Sequence, residues 1–115
     1  TVLPLEKALT NADIITIHSS GDTCILGKEE FSIIKSGAYL LNAARGNLIS
    51  EPSLIEALES GKVKGVWLDT FENEPYDGPL TEYEQVVLTP HIGSYTAECR
   101  KQMETEAVEN LINAL

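Results

Sequence analysis

The sequence predicts a doubly wound α/β fold, a parallel sheet covered by helices on both faces. Three observations predict it. Short apolar runs alternate with helical patterns along the 115 residues, glycines and prolines separate them, and the central runs are apolar on both faces. Strands that are buried on both faces belong to parallel sheets between two helical layers. About four strands with flanking helices are expected, which is small enough to be part of a larger sheet.

The first strand is predicted at 13–18, a β-branched run that ends at a Ser-Ser-Gly turn. A short helix is predicted at 28–35, because apolar side chains recur there at helical spacing and Gly37 follows as a stop signal. The second strand covers 38–43, and its side chains are apolar on both faces. The first half of the chain therefore alternates between the two element types.

A second helix is predicted between Ser50, whose hydroxyl is expected to cap it, and Gly61. The third and fourth strands are predicted at 63–69 and 86–89. A last helix starts near Ser94 or Thr96 and runs to the end of the chain. Its apolar side chains keep an i, i+4 register: Met103, Ala107, Val108, Leu111, Ile112 and Leu115.

Charge and cysteine usage exclude several classes of protein. The net charge is −10, from 18 acidic and 8 basic side chains, which argues against binding to nucleic acid or to an anionic membrane surface. No apolar run approaches the ~20 residues of a membrane span, and the first residues do not resemble a signal peptide. Cys24 and Cys99 are too few for a disulfide scaffold, and the presence of only two histidines argues against a metal site. We therefore expect a cytoplasmic domain with reduced thiols and no metal.

Ligands of parallel sheets bind at the carboxyl ends of the strands, so the residues that follow each strand are the candidates for a functional site. Arg45 follows the second strand among small residues, and its planar guanidinium suits a substrate carboxylate. Asp69 ends the third strand and can accept a hydrogen bond from an amide, while Glu74 can orient a histidine. Each has a structural alternative: Arg45 pairs with acidic residues, Asp69 caps a turn, and Glu74 is solvated.

Two histidines also follow strands. His91 is the obvious general acid–base near neutral pH, and Gly93 lets a ligand approach the backbone. His18 has the weaker case, and either histidine can be merely structural. Together, one arginine, one glutamate and one histidine at the same sheet edge can move a proton at a carbonyl next to a carboxylate.

Several familiar motifs are absent. There is no Gly-x-Gly-x-x-Gly turn, and the segment from Gly21 to Lys28 lacks the spacing and the Ser or Thr of a phosphate loop. Neither a nucleophile elbow nor a zinc-protease motif occurs.

Four blocks, in order, resemble the NAD-dependent D-isomer-specific 2-hydroxyacid dehydrogenases. They are 12–18, Leu-Leu-Asn-Ala-Ala-Arg-Gly at 40–46, Leu-Asp-Thr-Phe-Glu-Asn-Glu-Pro at 68–75, and Leu-Thr-Pro-His-Ile-Gly-Ser at 88–94. The match covers essentially the whole chain. It implies a Rossmann-like three-layer sandwich, NAD as cofactor, and hydride transfer between NAD(H) and a small 2-hydroxy or 2-oxo acid.

The resemblance also implies roles. Arg45 binds the substrate carboxylate and keto oxygen, His91 is the general acid–base, and Glu74 hydrogen-bonds His91 and tunes it. Asp69 holds the nicotinamide carboxamide. The remaining cofactor-side residues are His18, Ala43, Ala44, Gly93 and Ser94. The role of His18 is weakened by Ser20, which stands where the family usually has proline.

Members of this family are about three times as long as this chain. The resemblance therefore implies that residues 1–115 are the C-terminal portion of the NAD-binding domain, without the glycine-rich phosphate loop and the substrate domain. It also implies a homodimer for the full-length protein. Two alternatives stay open: a non-enzymatic NAD-sensing relative of the corepressor type, and an unrelated α/β interaction module.

Overall fold

The computed structural model describes all residues, 1–115. Its helices and strands follow one another as α1 (Leu5–Asn11), β1 (Ile14–Ile17), α2 (Lys28–Ile33), β2 (Ala38–Asn42), α3 (Glu51–Glu59), β3 (Val63–Leu68), β4 (Val86–Leu88) and α4 (Ala97–Ala114). Two short 3₁₀ turns lie at Gly46–Leu48 and Pro79–Glu82.

The four strands form one parallel sheet in the order β1-β2-β3-β4. Ile15 pairs with Leu40, Leu40 with Val66, and Val66 with Val86, so one row of side chains crosses the whole sheet. The predicted α/β class with four parallel strands and flanking helices is confirmed. All strands point the same way, so their carboxyl ends share one edge.

One face of the sheet is covered by helices. Strands that follow one another in order return through right-handed crossovers on the same side, and α2 accordingly contacts both α1 and α3. Leu40 and Val66 from the sheet, and Phe31 and Leu54 from the helices, are buried in the core between these layers. This layer fixes the position of each strand end.

The opposite face carries no helix, where the sequence analysis expected a second helical layer. We call it the open face; it presents Ile14, Thr16, Tyr39, Leu41, Gly65, Trp67 and Val87. Tyr39 is 43% exposed and Val87 58% exposed. The reason is the strand order, since every crossover in this chain lies on the other side.

Two local features differ from the sequence-based expectations. The short helix α1 was not predicted: Leu5, Ala8 and Leu9 do stand at the helical spacing i, i+3, i+4, but the segment has only seven residues and buries only Leu9. Ser50 does precede α3, but its hydroxyl lies 3.0 Å from the hydroxyl of Ser53 and forms no capping bond to the backbone.

The last helix was predicted correctly. It begins after Thr96, whose hydroxyl accepts a hydrogen bond from the backbone N–H of Cys99 at 3.1 Å. None of its 18 residues is buried, and its apolar side chains face solvent. Neither this helix nor any other has the length and apolar character required to cross a membrane.

The two faces of the sheet predict different costs for the same substitution on adjacent residues. Leu40 is buried under the helices, whereas Leu41 lies half-buried on the open face. We expect Leu40→Ala to lower the free energy of unfolding by about 2–5 kcal/mol and Leu41→Ala by about 1 kcal/mol. Urea denaturation of both variants measures this. Equal losses would show that the open face is packed in solution.

Candidate active site

Three loops meet at the carboxyl edge of the sheet. The backbone N–H of Asp69 donates to the carbonyl oxygen of Asn42 at 2.9 Å, and the N–H of Thr89 donates to that of Leu68 at 3.0 Å. These bonds extend the parallel ladders by one step beyond the strands. The residues that follow β2, β3 and β4 therefore leave the sheet side by side.

The loop after β2 is shaped by Asn42, which is buried. Its side-chain oxygen accepts from the N–H of Ala44 at 3.0 Å, and its amide donates to the carbonyl oxygen of Arg45 at 2.8 Å. The Arg45 side chain is exposed and donates to the carbonyl oxygen of Ala44 at 2.7 Å. Arg45 forms no ion pair, so its guanidinium remains free for a carboxylate ligand.

The loop after β3 packs directly on the loop after β2. A Cβ atom added to Gly46 would lie 2.1 Å from the carbonyl carbon of Phe71, so only glycine permits this approach. Phe71 also stacks on Tyr76, with 4.5 Å between ring centroids. These contacts close the segment 71–76 into a compact turn that carries Glu74.

Glu74 and His91 form a hydrogen bond across neighbouring loops. Nδ1 of His91 lies 3.0 Å from Oε2 of Glu74, and the backbone N–H of Phe71 donates to Oε1 at 3.0 Å. The N–H of Phe71 and the imidazole of His91 hold the pKa of the Glu74 carboxyl below its usual range. An ionised carboxylate only accepts hydrogen bonds, so Nδ1 carries the proton and Nε2 is left to give or take another.

Asp69 is buried and holds the loop after β4. Its Oδ1 accepts from the hydroxyl of Thr89 at 2.5 Å and from the N–H of Ile92 at 2.9 Å, and its Oδ2 accepts from the N–H of Gly93 at 2.8 Å. Burial opposes ionisation of this carboxyl, but the three donors outweigh it, so the pKa of Asp69 lies below its ordinary value.

His91 lies between Thr89 and Ile92, two of the residues that donate to Asp69, in a strained backbone conformation. Its φ is +54°, in the left-handed region that side chains other than glycine rarely adopt. Its N–H donates to the carbonyl oxygen of Thr89 at 2.9 Å, which closes a tight turn at Pro90. The hydrogen bonds to Asp69 on either side therefore hold the imidazole toward Glu74.

The structure joins some of the predicted site residues and leaves others apart. It joins Glu74 to His91, and Asp69 to Gly93. Arg45 is next to these groups through its loop but bonds to none of them. His18, at the end of β1, is exposed and lies 3.0 Å from the hydroxyl of Thr16. The remaining predicted cofactor-side residues are exposed or half-buried at this edge: Ala43, Ala44 and Ser94.

Sequence reasoning missed three residues that support the site. Asn42 was read only as a member of its loop, although a buried asparagine at the end of an apolar strand indicates a role for its amide. Thr89 and Gly46 carried no local signal. Their importance lies in contacts with Asp69 and Phe71, residues at least 20 positions away in the chain.

Comparison with known proteins identifies the family of this chain. Residues 1–93 match the family model described as "D-isomer specific 2-hydroxyacid dehydrogenase, NAD binding domain". The chain belongs to this family. The matched region ends at Gly93, so it includes all four strands and every loop described above, and the cofactor of the family is NAD.

Individual dehydrogenases and reductases give the same picture. The chain is 48% identical to a glyoxylate/hydroxypyruvate reductase B from Enterobacter sp. (strain 638) over 96% of its own length. It superposes on a glyoxylate reductase from Paecilomyes thermophila with a TM-score of 0.89, 38% identity and 97% coverage. It also superposes on the NAD complex of a D-isomer specific 2-hydroxyacid dehydrogenase from Lactobacillus delbrueckii ssp. bulgaricus, with a TM-score of 0.85, 28% identity and 95% coverage.

The chain spans little more than a third of each of these proteins: 36% of the Enterobacter reductase, 35% of the Paecilomyes enzyme and 39% of the Lactobacillus enzyme. The comparisons therefore concern only about a third of the length of each relative.

The close approach at Gly46 predicts that this position controls Glu74. In Gly46→Ala the new methyl group overlaps the backbone of Phe71, so the turn 71–76 must move away. We expect the Glu74–His91 contact to be lost, with a free energy of unfolding lower by about 1–3 kcal/mol. NMR shifts of the His91 imidazole and urea denaturation measure both effects.

Gly27→Ala is the matched control, because its Cβ meets only a carboxylate oxygen of Glu30, at 3.3 Å. That side chain can move at little cost, so this variant keeps the wild-type His91 shifts. If Gly46→Ala also keeps them, the two loops are not in the described contact.

The lowered pKa values of Asp69 and Glu74 predict a loss of stability in acid. A carboxyl whose folded pKa is depressed stabilises the fold above its ordinary value, 3.8 for Asp69 and 4.5 for Glu74, and this stabilisation disappears as the pH falls through the lowered pKa. We expect the free energy of unfolding to decrease between about pH 5 and about pH 3, and Asp69→Asn to reduce this dependence.

Urea denaturation across this pH range measures the effect, with Asp22→Asn as control. Asp22 is exposed and forms no hydrogen bond, so its replacement leaves the slope unchanged. An unchanged slope in Asp69→Asn would contradict the assignment of the buried carboxylate.

Proposed function

We propose that this chain is the cofactor-side part of an enzyme that transfers a hydride between NAD(H) and a small 2-hydroxy or 2-oxo acid. The observation that carries the proposal is the Glu74–His91 pair, 3.0 Å apart, with Nε2 of His91 unbonded and the free guanidinium of Arg45 on the neighbouring loop. A proton donor and a carboxylate-binding group are both required to reduce a 2-oxo acid.

The residues at this edge fit the nicotinamide end of NAD. Ala43 and Ala44 are small and reachable, and Gly93 lies against Asp69, where a Cβ would be 3.1 Å from Oδ2 and would press on the carboxylate. Oδ2 accepts only one bond within the chain, which leaves an acceptor position for the carboxamide predicted to bind Asp69. Ser94 and His18 complete the cofactor side of the proposal.

Each residue has a defined task in the reduction. The Arg45 guanidinium holds the substrate carboxylate with two parallel hydrogen bonds and polarises the neighbouring keto oxygen. When bound, NADH supplies the hydride, which adds to the carbonyl carbon. Nε2 of His91 donates a proton to the carbonyl oxygen, so the product is the neutral alcohol.

Glu74 supports proton transfer by His91 in both reduction of the oxo acid and oxidation of the hydroxy acid. Its carboxylate fixes Nδ1 as the protonated ring nitrogen and stabilises the imidazolium before the proton leaves. In oxidation of a 2-hydroxy acid, the same Nε2 accepts the hydroxyl proton while the hydride leaves the carbon. The pair therefore serves both directions.

Substrate class, chain organisation and setting complete the proposal. The names of the Enterobacter and Paecilomyes relatives point to glyoxylate or hydroxypyruvate, both 2-oxo acids.

Residues 1–115 form the C-terminal portion of the NAD-binding domain, and the complete protein is a cytoplasmic homodimer. The alternative of a non-enzymatic corepressor-like protein receives no support from these relatives.

The proposal is tested with the complete protein that contains this chain. We expect it to oxidise NADH in the presence of glyoxylate or hydroxypyruvate. We expect His91→Gln to lower kcat by about 10²–10⁴-fold, because the proton donor is lost. Arg45→Lys keeps the charge but loses the two-pronged geometry, so KM for the oxo acid rises. Steady-state kinetics measure these constants.

Arg100→Lys is the matched control, since Arg100 is the other arginine of the chain and lies on α4, 3.6 Å from Glu104. Its kinetics remain those of the wild type. If the complete protein binds NADH but turns over none of a panel of 2-oxo acids, the proposed enzymatic function is wrong, and a non-enzymatic NAD-binding protein is favoured.

A further inference from the structure

A hydrogen-bonded chain links the open face of the sheet to the candidate site. Trp67 is the only tryptophan, and its half-buried side chain lies on the open face. Its indole Nε1–H donates to the hydroxyl oxygen of Thr89 at 3.1 Å. That hydroxyl lies 2.5 Å from Oδ1 of Asp69. This series of hydrogen bonds thus starts at Trp67 on β3, reaches Thr89 just after β4, and returns to Asp69 just after β3.

The direction of this chain is fixed by the chemistry of its members. An indole N–H can only donate, and an ionised carboxylate can only accept. The hydroxyl of Thr89 has one proton, and its oxygen already accepts from Trp67. Its proton must therefore point at Asp69, and Trp67 holds the hydroxyl in that orientation.

Asp69 passes this constraint to the loop after β4. Thr89, Ile92 and Gly93 all donate to its two oxygens, so the carboxylate is held on one side and holds the backbone on the other. Between these donors lies His91, with its φ of +54°. A left-handed conformation costs about 1 kcal/mol or more outside glycine, so it persists only where its surroundings hold it.

We propose that Trp67 and Thr89 are positioning residues for His91. They orient the carboxylate of Asp69, which keeps the Ile92 and Gly93 N–H groups in place and thereby presents the imidazole to Glu74. The alternative is a purely structural role, in which the same bonds stabilise β3 and β4 without affecting His91. The catalytic consequence rests on the proposed function, whereas the effect on His91 does not.

The positioning itself is tested on the 115-residue chain by NMR. Two observations report on His91: the one-bond Cα–Hα coupling, which separates positive from negative φ, and the ¹⁵N shifts of the imidazole, which identify the protonated ring nitrogen. We expect Thr89→Val, which preserves shape and removes the hydroxyl, to change both. Thr89→Ser keeps the hydroxyl and restores the wild-type values.

Trp67→Phe is the second variant and keeps a ring on the open face while it removes the N–H. We expect a change in the same direction as in Thr89→Val but smaller, because the hydroxyl still reaches Asp69. This variant decides the question if Thr89→Val does not fold. The proposal is overturned if folded Thr89→Val keeps the wild-type coupling and shifts. If only Trp67→Phe folds, the same result in that variant overturns it. A change in Thr89→Ser equal to that in Thr89→Val also overturns it.

The catalytic consequence is measured in the complete protein. A misplaced proton donor lowers the rate of the chemical step, so we expect Thr89→Val to lower kcat about 10- to 100-fold. KM for the oxo acid changes little, because the Arg45 loop is untouched, and Thr89→Ser recovers kcat. A fall in stability with unchanged kcat would show a structural role alone. If the wild-type protein has no activity, the proposed function fails, and the NMR comparison still decides the positioning.

Discussion

The buried carboxylate of Asp69 is the interaction on which the arrangement of the site depends. A charge taken out of water costs several kcal/mol unless hydrogen bonds replace its hydration, and here all three replacements come from the loop after β4. The loop in turn contains a residue in a strained conformation that needs support. The carboxylate of Asp69 and the loop after β4 therefore stabilise each other, and these hydrogen bonds fix the orientation of His91.

The remaining parts of the site are positioned by the sheet. Four parallel strands bring their carboxyl ends to one edge, and the backbone bonds beyond each strand keep the loops in contact with their neighbours. The buried amide of Asn42 shapes the loop that carries Arg45, and Gly46 lets that loop touch the turn that carries Glu74. Arg45, Glu74 and His91 thus lie on adjacent loops at one edge of the sheet.

Much of this arrangement could be predicted from sequence, because it follows from local patterns. Short apolar runs indicated β2 and β3, and the rule that ligands bind at strand ends selected Arg45, Asp69 and His91. What could not be predicted depends on contacts between distant residues. The bond from Trp67 to Thr89 joins positions 22 apart, and no local pattern encodes it. Likewise, the doubly apolar strands led to the expectation of helices on both faces, whereas the strand order of this chain leaves one face of the sheet open.

The exposed last helix has a consequence for how this chain unfolds. Its 18 residues contribute nothing to the buried core, and a helix of that length without tertiary packing is only marginally stable in water. Trp67 lies in the sheet, so its fluorescence reports on unfolding of the sheet and the helices packed on it. Far-ultraviolet circular dichroism reports on these elements and on α4 together. The two signals then melt over different ranges, and the chain departs from two-state behaviour although its core is a single cooperative unit.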